Sequence, residues 1–404
     1  MSLPSLSALA RDYAARFPAH LPAEQSLRLR LEELVLDVRS NSEAVVADLR
    51  GYFAGFVESA APFDASGPAD LDFFLLEAPV QEPPVLLAIK PHAPGKRPDK
   101  ERFADLPGDG LGAGSGDGPG DGGGRMVRKQ ATGMLFLFGA GGNIAPDIAP
   151  NIAVGPCAAN RNQLVNFLCA RYMERRLAQG WMLGHAAGVA RPASAGGRGL
   201  ILCGFAGMGK STLALHLVAR GLNFVSNDRV LVEPASGVRT ALQHGIPKHP
   251  RLNPGTALGN PALAGLLAPI FETALPEAAR SAYAGLSPEA LREVEDKYDA
   301  SIDVCFGPGR FVLAAPLAGV VVLNWTHGGG ALSARRVDLS QRLDLLKALR
   351  KQPGLFYLPQ ALAGRARLTD EQCLEALAGV PALEHAGGSD FEAAAAACEE
   401  FLGA

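Results

Sequence analysis

The chain has 404 residues, enough for two domains with separate cores. Hydrophobic residues make up 48% of it and the formal net charge is −3, which excludes an overall basic field of the kind that draws in nucleic acid or anionic membrane without specificity. Its six cysteines show no CxxC or paired Cys/His spacing, and no apolar run approaches the about 20 residues of a membrane span, so a cytoplasmic protein with buried thiols is expected.

The first stretch, "MSLPSLSALARDYAARF", reads as an amphipathic helix rather than a signal peptide. "QSLRLRLEELVLDVRSN" predicts one or two strands, and "NSEAVVADLRGYFAGFV" has helical spacing behind an Asn/Ser start. "PPVLLAIK" is a further strand candidate, followed by the charged connector 90–103. Residues 107–125, "PGDGLGAGSGDGPGDGGGR", are too glycine-rich for a packed element and read as a loop. Strand text resumes in "TGMLFLFG", so this loop interrupts an N-terminal α+β domain. "NRNQLVNFLCARYMERRLAQG" is a long helix, with Asn160 and Gln163 spaced as a capping box and Gly180 as its stop.

From Trp181 onward short apolar runs alternate with helices, a βαβ rhythm that predicts a mostly parallel sheet with flanking helices. Within it "GFAGMGKST" fits G-x-x-x-x-G-K-[ST], with Gly204, Gly209, Lys210 and Ser211 at the fixed positions. Gly204, Phe205, Ala206, Gly207, Met208, Gly209, Lys210, Ser211 and Thr212 together form the expected nucleotide cradle. Its backbone amides approach the phosphates, Lys210 reaches the β- and γ-phosphates, and Ser211 ligates Mg²⁺. The apolar run before the turn and the helix "STLALHLVARG" after it supply the strand–loop–helix frame that the motif needs. "PLAGVVVLNW" is a central strand, and Thr369/Gln372 and Ser389/Glu392 fit capping boxes near the end of the chain.

Three absences narrow the class. There is no NKxD, no LSGGQ-like run, and no strand ending in Asp-Glu, since "GVVVLNW" passes through Asn324. The nearest acidic residue is Asp228 in "NFVSND", on the strand after the P-loop helix. A parallel sheet places it at the same carboxyl edge as the P-loop, where it can hold Mg²⁺ or take a proton from an attacking hydroxyl.

These residues resemble a family. "HAAGVA" followed by "GFAGMGKSTLALHLVARGLNFVSNDRV" is similar to the HPr kinase/phosphorylase superfamily, and "GIPKHPRLNPGTALGNP" with "KYDASIDVCFGPGRF" resembles its HPr kinase-related B branch. The resemblance implies ATP-dependent phosphorylation of a hydroxyl, usually a serine, and a P-loop kinase domain of the HPr kinase type. It gives Lys210 the β/γ-phosphates, Ser211 and Asp228 the metal, Asp228 the role of base, and His185 the place of the active-site His. Where the bifunctional members carry a metal-binding Glu, this chain has Asn253, so the resemblance does not extend to phosphorolysis or to recognition of HPr. Arg251 and Arg310 are expected to steady charge on the transferring group, with Lys248 and Lys297 as lesser contacts and Asn253 and Thr256 placed to position the acceptor. A homo-oligomer and an ATP-grasp enzyme encoded nearby are further implications.

The expected architecture is α/β: an N-terminal α+β domain over 1–155 and the P-loop kinase domain over 156–404. The expected activity is Mg²⁺-ATP-dependent transfer to a protein serine, with no nucleic-acid or membrane partner. The rivals are a nucleotide-binding regulatory module with little transfer and a kinase of a small serine- or sugar-like molecule.

Overall fold

The computed structural model describes residues 8, 12, 23–58, 67–83, 85–91, 100–106, 123–139, 151–255, 263–267, 277–287, 290–291, 294, 297–326, 328–362 and 368–403. Most of the expected first helix, most of the glycine-rich loop and Thr256 lie outside these residues. The fold is mixed α/β, and the chain divides into two compact units: Met1–Gln179 with Pro353–Ala366, and Gly180–Gln352 with Arg367–Ala404.

The first unit is built on strands β1 (Gln25–Leu31), β2 (Leu34–Ser40), β3 (Leu71–Glu77), β4 (Ala88–Ile89), β5 (Glu101–Leu106), β6 (Gly124–Lys129), β7 (Leu135–Gly139) and β8 (Asn151–Gly155), in the order β1-β2-β3-β8-β7-β6-β5-β4. Helix α1 (Glu43–Tyr52) starts as expected, with the Ser42 side chain accepting from Val45 N. Helix α2 (Arg161–Ala178) lacks the capping box, because Asn160 donates to Pro156 O instead of capping the helix. The sequence boundary at 155/156 precedes α2, yet α2 belongs with the first unit. Its Phe167 packs on Phe73, Phe136 and Phe138 of the sheet, and periodicity shows which helix face is apolar without showing what covers it. Pro353–Ala366 returns to the same core: Phe356 meets Phe167, and Leu358 N donates to the buried carboxylate of Glu174.

The second unit runs β9 (Met182–Gly184), β10 (Ala186–Ala190), β11 (Gly199–Gly204), α3 (Lys210–Ala219), β12 (Asn223–Ser226), β13 (Val230–Glu233), β14 (Leu242–His244), β15 (Arg251–Leu252), α4 (Glu277–Ala284), β16 (Tyr298–Asp299), α5 (Ile302–Phe306), β17 (Ala314–Leu323), β18 (Leu332–Val337), α6 (Leu343–Leu349), α7 (Asp370–Ala376), β19 (Ala382–Gly387) and α8 (Phe391–Gly403). The sheet order is β12-β10-β11-β17-β14-β13-β9, with β19 also on β17 and β18 on β19. Strand β11 alternates, as a strand covered on both faces must. Leu200 and Leu202 join Leu213 and Leu217 of α3 and Ala394 and Cys398 of α8, while Ile201 and Cys203 join Leu345 and Leu349 of α6 and Cys373 of α7.

The expectation of a mostly parallel sheet is corrected here. Among the described pairings of this sheet only β11–β17 and β17–β19 are parallel. Strand β10 is antiparallel to both β11 and β12, because the short "RPASAGG" connection can make a hairpin but not the crossover that a parallel neighbour needs. The sequence rhythm counted β10 as one more parallel strand. The capping box of Thr369 and Gln372 on α7 is present, whereas at α8 the cap is Asp390, which accepts from Ala393 N, and Glu392 is used elsewhere.

Candidate functional site

Because β11 and β12 are both antiparallel to β10, they run the same way. Their carboxyl ends and the start of β10 therefore share one edge, where register pairs Ala186 with Cys203 and Gly188 with Ser226. That edge gathers Gly204 and the phosphate loop, His185, and the turn Asn227–Asp228.

The loop has the backbone that its glycines were expected to supply. Gly207 (φ 79°) and Gly209 (φ 82°) are left-handed, and Gly209 leads into α3. The amides that open α3 have no carbonyl a turn behind them, which leaves them to an anion. Lys210 Nζ donates to Gly204 O (2.8 Å) and Phe205 O (3.2 Å), folded over its own loop. Burial lowers its pKa against the pull of Asp228. Phe205, Ala206 and Gly207 form the exposed tip, while Met208 and Thr212 are half-buried.

The far side of the loop is braced by aromatic residues that sequence reasoning missed. Trp325 Nε1 donates to Met208 O (3.0 Å), and a side chain at 209 would collide with the Phe391 ring. Trp325 meets Phe391 edge-on and stacks on His385, whose ring nitrogens are both buried and without a hydrogen-bond partner among the described residues. Burial pushes that imidazole down to about 4.

Ser211 Oγ donates to Asn227 Oδ1 (2.6 Å), which joins the start of α3 to the end of β12. The next residue, Asp228, has φ 67°, an unusual conformation for a side-chain-bearing residue, in a turn held by Ser226 Oγ donating to Arg229 O. Its Oδ1 lies 3.2 Å from His185 Nε2 and its Oδ2 lies 3.6 Å from Arg229 Nε. Burial pushes the carboxyl up, but the His185 hydrogen bond and the charges of Arg229 and Lys351 outweigh it and hold the group well below the usual carboxylate range. Lys351 carries no motif that sequence reasoning could have used. It enters through an extended segment after α6, where His185 N donates to Leu349 O (2.6 Å) and Gly184 bridges Arg350.

The residues fit a hydrated magnesium ion. Ser211 Oγ, Asn227 Oδ1 and an Asp228 carboxylate kept ionised are hard oxygen donors on one edge. Among the described residues no group of three His, Cys, Asp or Glu side chains could hold a metal, so water and phosphate oxygens would complete the shell.

The two expected arginines each have protein partners of their own. Arg310 Nη2 donates to Val218 O and Leu222 O (both 2.7 Å), capping the C-terminal end of α3, about 15 Å of helix from the loop. Arg251 lies on the β15–β16 ribbon, donating to Lys297 O and facing Asp299. Asn253 Oδ1 is buried without a hydrogen-bond partner among the described residues. All six cysteines are buried free thiols, and among the described residues no helix is long and apolar enough to cross a membrane.

The chain matches no family model and no curated protein. Among solved structures it is similar to the HPr(Ser) kinase/phosphatase from Coxiella burnetii, with 11% identity, 54% of this chain and 95% of that chain covered, and a TM-score of 0.25. A likeness of that size carries no argument about activity.

Proposed function

We propose that the chain is an ATP-dependent phosphotransferase that passes the γ-phosphoryl group to a hydroxyl, with a serine of a partner protein as the acceptor class. The observation that carries this reading is the placement of Asp228, paired with His185, on the same sheet edge as Lys210 and the Ser211–Asn227 link. The His185 contact supports transfer over binding alone, because it orients the carboxylate, and an acceptor hydroxyl needs a fixed hydrogen-bond acceptor. The resemblance in sequence to the HPr kinase-related branch supports the same assignment.

The residues divide the work as follows. The loop amides and the opening of α3 bind the phosphates, with Lys210 turning from its loop carbonyls to the β- and γ-oxygens. Ser211, with Asn227 and Asp228, would hold magnesium, which supplies neutralisation of phosphate charge when bound. Asp228 accepts the hydrogen bond of the acceptor hydroxyl, and His185 fixes Oδ1 so that the carboxylate keeps one orientation. A carboxyl with so low a pKa is a weak base. It suffices because phosphoryl transfer passes through a loose transition state that asks little of the nucleophile, so Asp228 orients the hydroxyl first and takes the proton late.

The test is incubation with γ-labelled ATP and Mg²⁺, with and without lysate of the native host, alongside Asp228→Ala. Label on a protein that requires Asp228 supports the reading, and label on dialysable material redirects it to a small hydroxyl substrate. ATP binding with no Asp228-dependent transfer to any fraction would leave a regulatory module and overturn the enzyme.

A further inference from the structure

The groups placed for chemistry stand on one side of the phosphate loop. Asp228, His185 and the Ser211–Asn227 link belong to the β10–β12 side, whereas β17 flanks β11 on its other side. A nucleotide whose terminal phosphate meets Asp228 therefore carries its nucleoside away from β12, toward the carboxyl end of β17.

That end lies hard against the loop. Leu323 pairs with Gly204 in parallel register, and its carbonyl oxygen would lie 2.9 Å from a Cβ added at 204. Trp325 Nε1 donates to Met208 O (3.0 Å). Asn324, between these two contacts, is exposed and stands one strand spacing, about 4.8 Å, from the start of the loop tip. Its amide is held in one orientation. Nδ2 donates to Glu384 Oε1 (2.7 Å), and Glu384 is 1% exposed and also receives Arg335 (2.8 Å) and Arg342 (3.0 Å). An ionised carboxylate only accepts, so the amide nitrogen must face it. Asn324 Oδ1 is the end left over, with no partner among the described residues.

Phe205, at the tip beside it, is the second feature. At 47% exposure it is the one aromatic among the large apolar side chains that the described residues leave exposed. Its ring meets no other ring or cation among them. An open aromatic face and a fixed carbonyl oxygen complement a planar heterocycle that bears an amine.

We infer that Phe205 and Asn324 form the base subsite of the donor nucleotide. The Phe205 ring takes the face of an aminopurine, Asn324 Oδ1 accepts from the exocyclic amine, and Glu384 is the positioning residue that orients Asn324. The inference rests on the phosphotransferase reading and adds to it the part of the nucleotide that the phosphate-loop motif does not specify.

The experiment is calorimetric titration of the full chain with Mg-ATP and with Mg-tripolyphosphate, which keeps three phosphates and lacks the nucleoside. Phe205→Ala should lose about 5- to 100-fold in ATP affinity and Asn324→Ala about 3- to 10-fold. Tripolyphosphate affinity should stay within about twofold in both, which also reports an intact loop. Phe205→Tyr keeps the ring and should bind ATP within about threefold of wild type. Inosine triphosphate, with a carbonyl in place of the amine, should bind wild type more weakly than ATP. Asn324→Ala and Glu384→Gln should narrow that difference. Losses shared equally by ATP and tripolyphosphate, ATP affinity unchanged in both alanine variants, or equal binding of ATP and inosine triphosphate by wild type overturns the inference and leaves the phosphotransferase reading intact. Wild-type protein that binds neither ATP nor tripolyphosphate would instead overturn that reading itself.

Discussion

His185 Nε2 lies 3.2 Å from Asp228 Oδ1, a contact made across β10 and β12 between residues that precede one strand and follow the other. The hydrogen bond both orients the carboxylate and works against burial to keep it ionised. His185→Ala is therefore expected to lower kcat by about 10- to 100-fold with ATP affinity changed less than about threefold, since the histidine acts through Asp228 and not on the phosphates. The pH dependence has a definite sign. In the proposed reaction Asp228 works as the anion, which is lost as pH falls through its pKa; removing His185 lets that pKa rise, so activity is expected to fall at a higher pH on acidification. Steady-state kinetics over an acid series checks both parts, and an unshifted acid limb contradicts the pairing.

Gly209 is constrained twice, by φ 82° and by the Phe391 ring that would lie 2.7 Å from an added Cβ. Gly209→Ala should cost about 1–3 kcal/mol and weaken Mg-ATP. In a Phe391→Ala background the clash disappears and only the backbone strain remains, so the same substitution should cost less there. Denaturant unfolding of the four proteins measures this as a double-mutant cycle, and equal costs in both backgrounds would deny the contact.

The loop and the sheet edge that carries Asp228 were legible because their signals are local. Gly204, Gly209, Lys210 and Ser211 occupy one short motif, and Asp228 follows the very next strand. The strand direction was not legible: period-two alternation in "HAAGVA" marks β10 as a strand but is silent on which way its neighbours run. The connection length of "RPASAGG" held that information and the βαβ rhythm overrode it. Trp325 and Phe391 were out of reach because each meets the loop through tertiary packing, with no spacing that ties it to residue 204. Arg310, a cation expected at phosphate, donates to carbonyls at a helix end in this structure.

Arg310 binds the carbonyls that α3 and its exit leave open, at the negative end of the helix dipole. Arg310→Met should lower stability by about 1–3 kcal/mol, while Mg-ATP affinity stays within about twofold. Thermal or urea unfolding together with nucleotide titration separates the two effects, and a large affinity loss at unchanged stability would restore the arginine to the phosphate site.

His385 makes stability depend on acid. Its folded pKa, about 4, is below the ordinary 6.5. The unfolded chain therefore binds a proton through this window and the folded protein does not, so stability rises with pH between about 4 and 6.5. The full swing is about 3 kcal/mol. The neighbouring Glu384, whose burial is outweighed by hydrogen bonds from Arg342, Asn324 and Arg335, sits at about 2 and stays ionised throughout that range. Urea unfolding at pH 7 and pH 4.5 should show the loss in wild type, and His385→Leu should flatten it; an equal slope in both proteins would remove His385 as the cause.

Helix α8 does more than close the core. Phe391 occupies the space beside Gly209, Glu392 reaches His216 on α3 and Arg220 at its C-cap, and Glu399 reaches Arg220. The loop is translated long before this buttress exists. A nascent chain can expose the whole G-x-x-x-x-G-K-S text while the element that stiffens it is still inside the ribosome. The loop therefore gains its stiffening contacts only once α8 has been made and packed, so the backbone around Gly209 is fixed by one of the last elements of the chain to form.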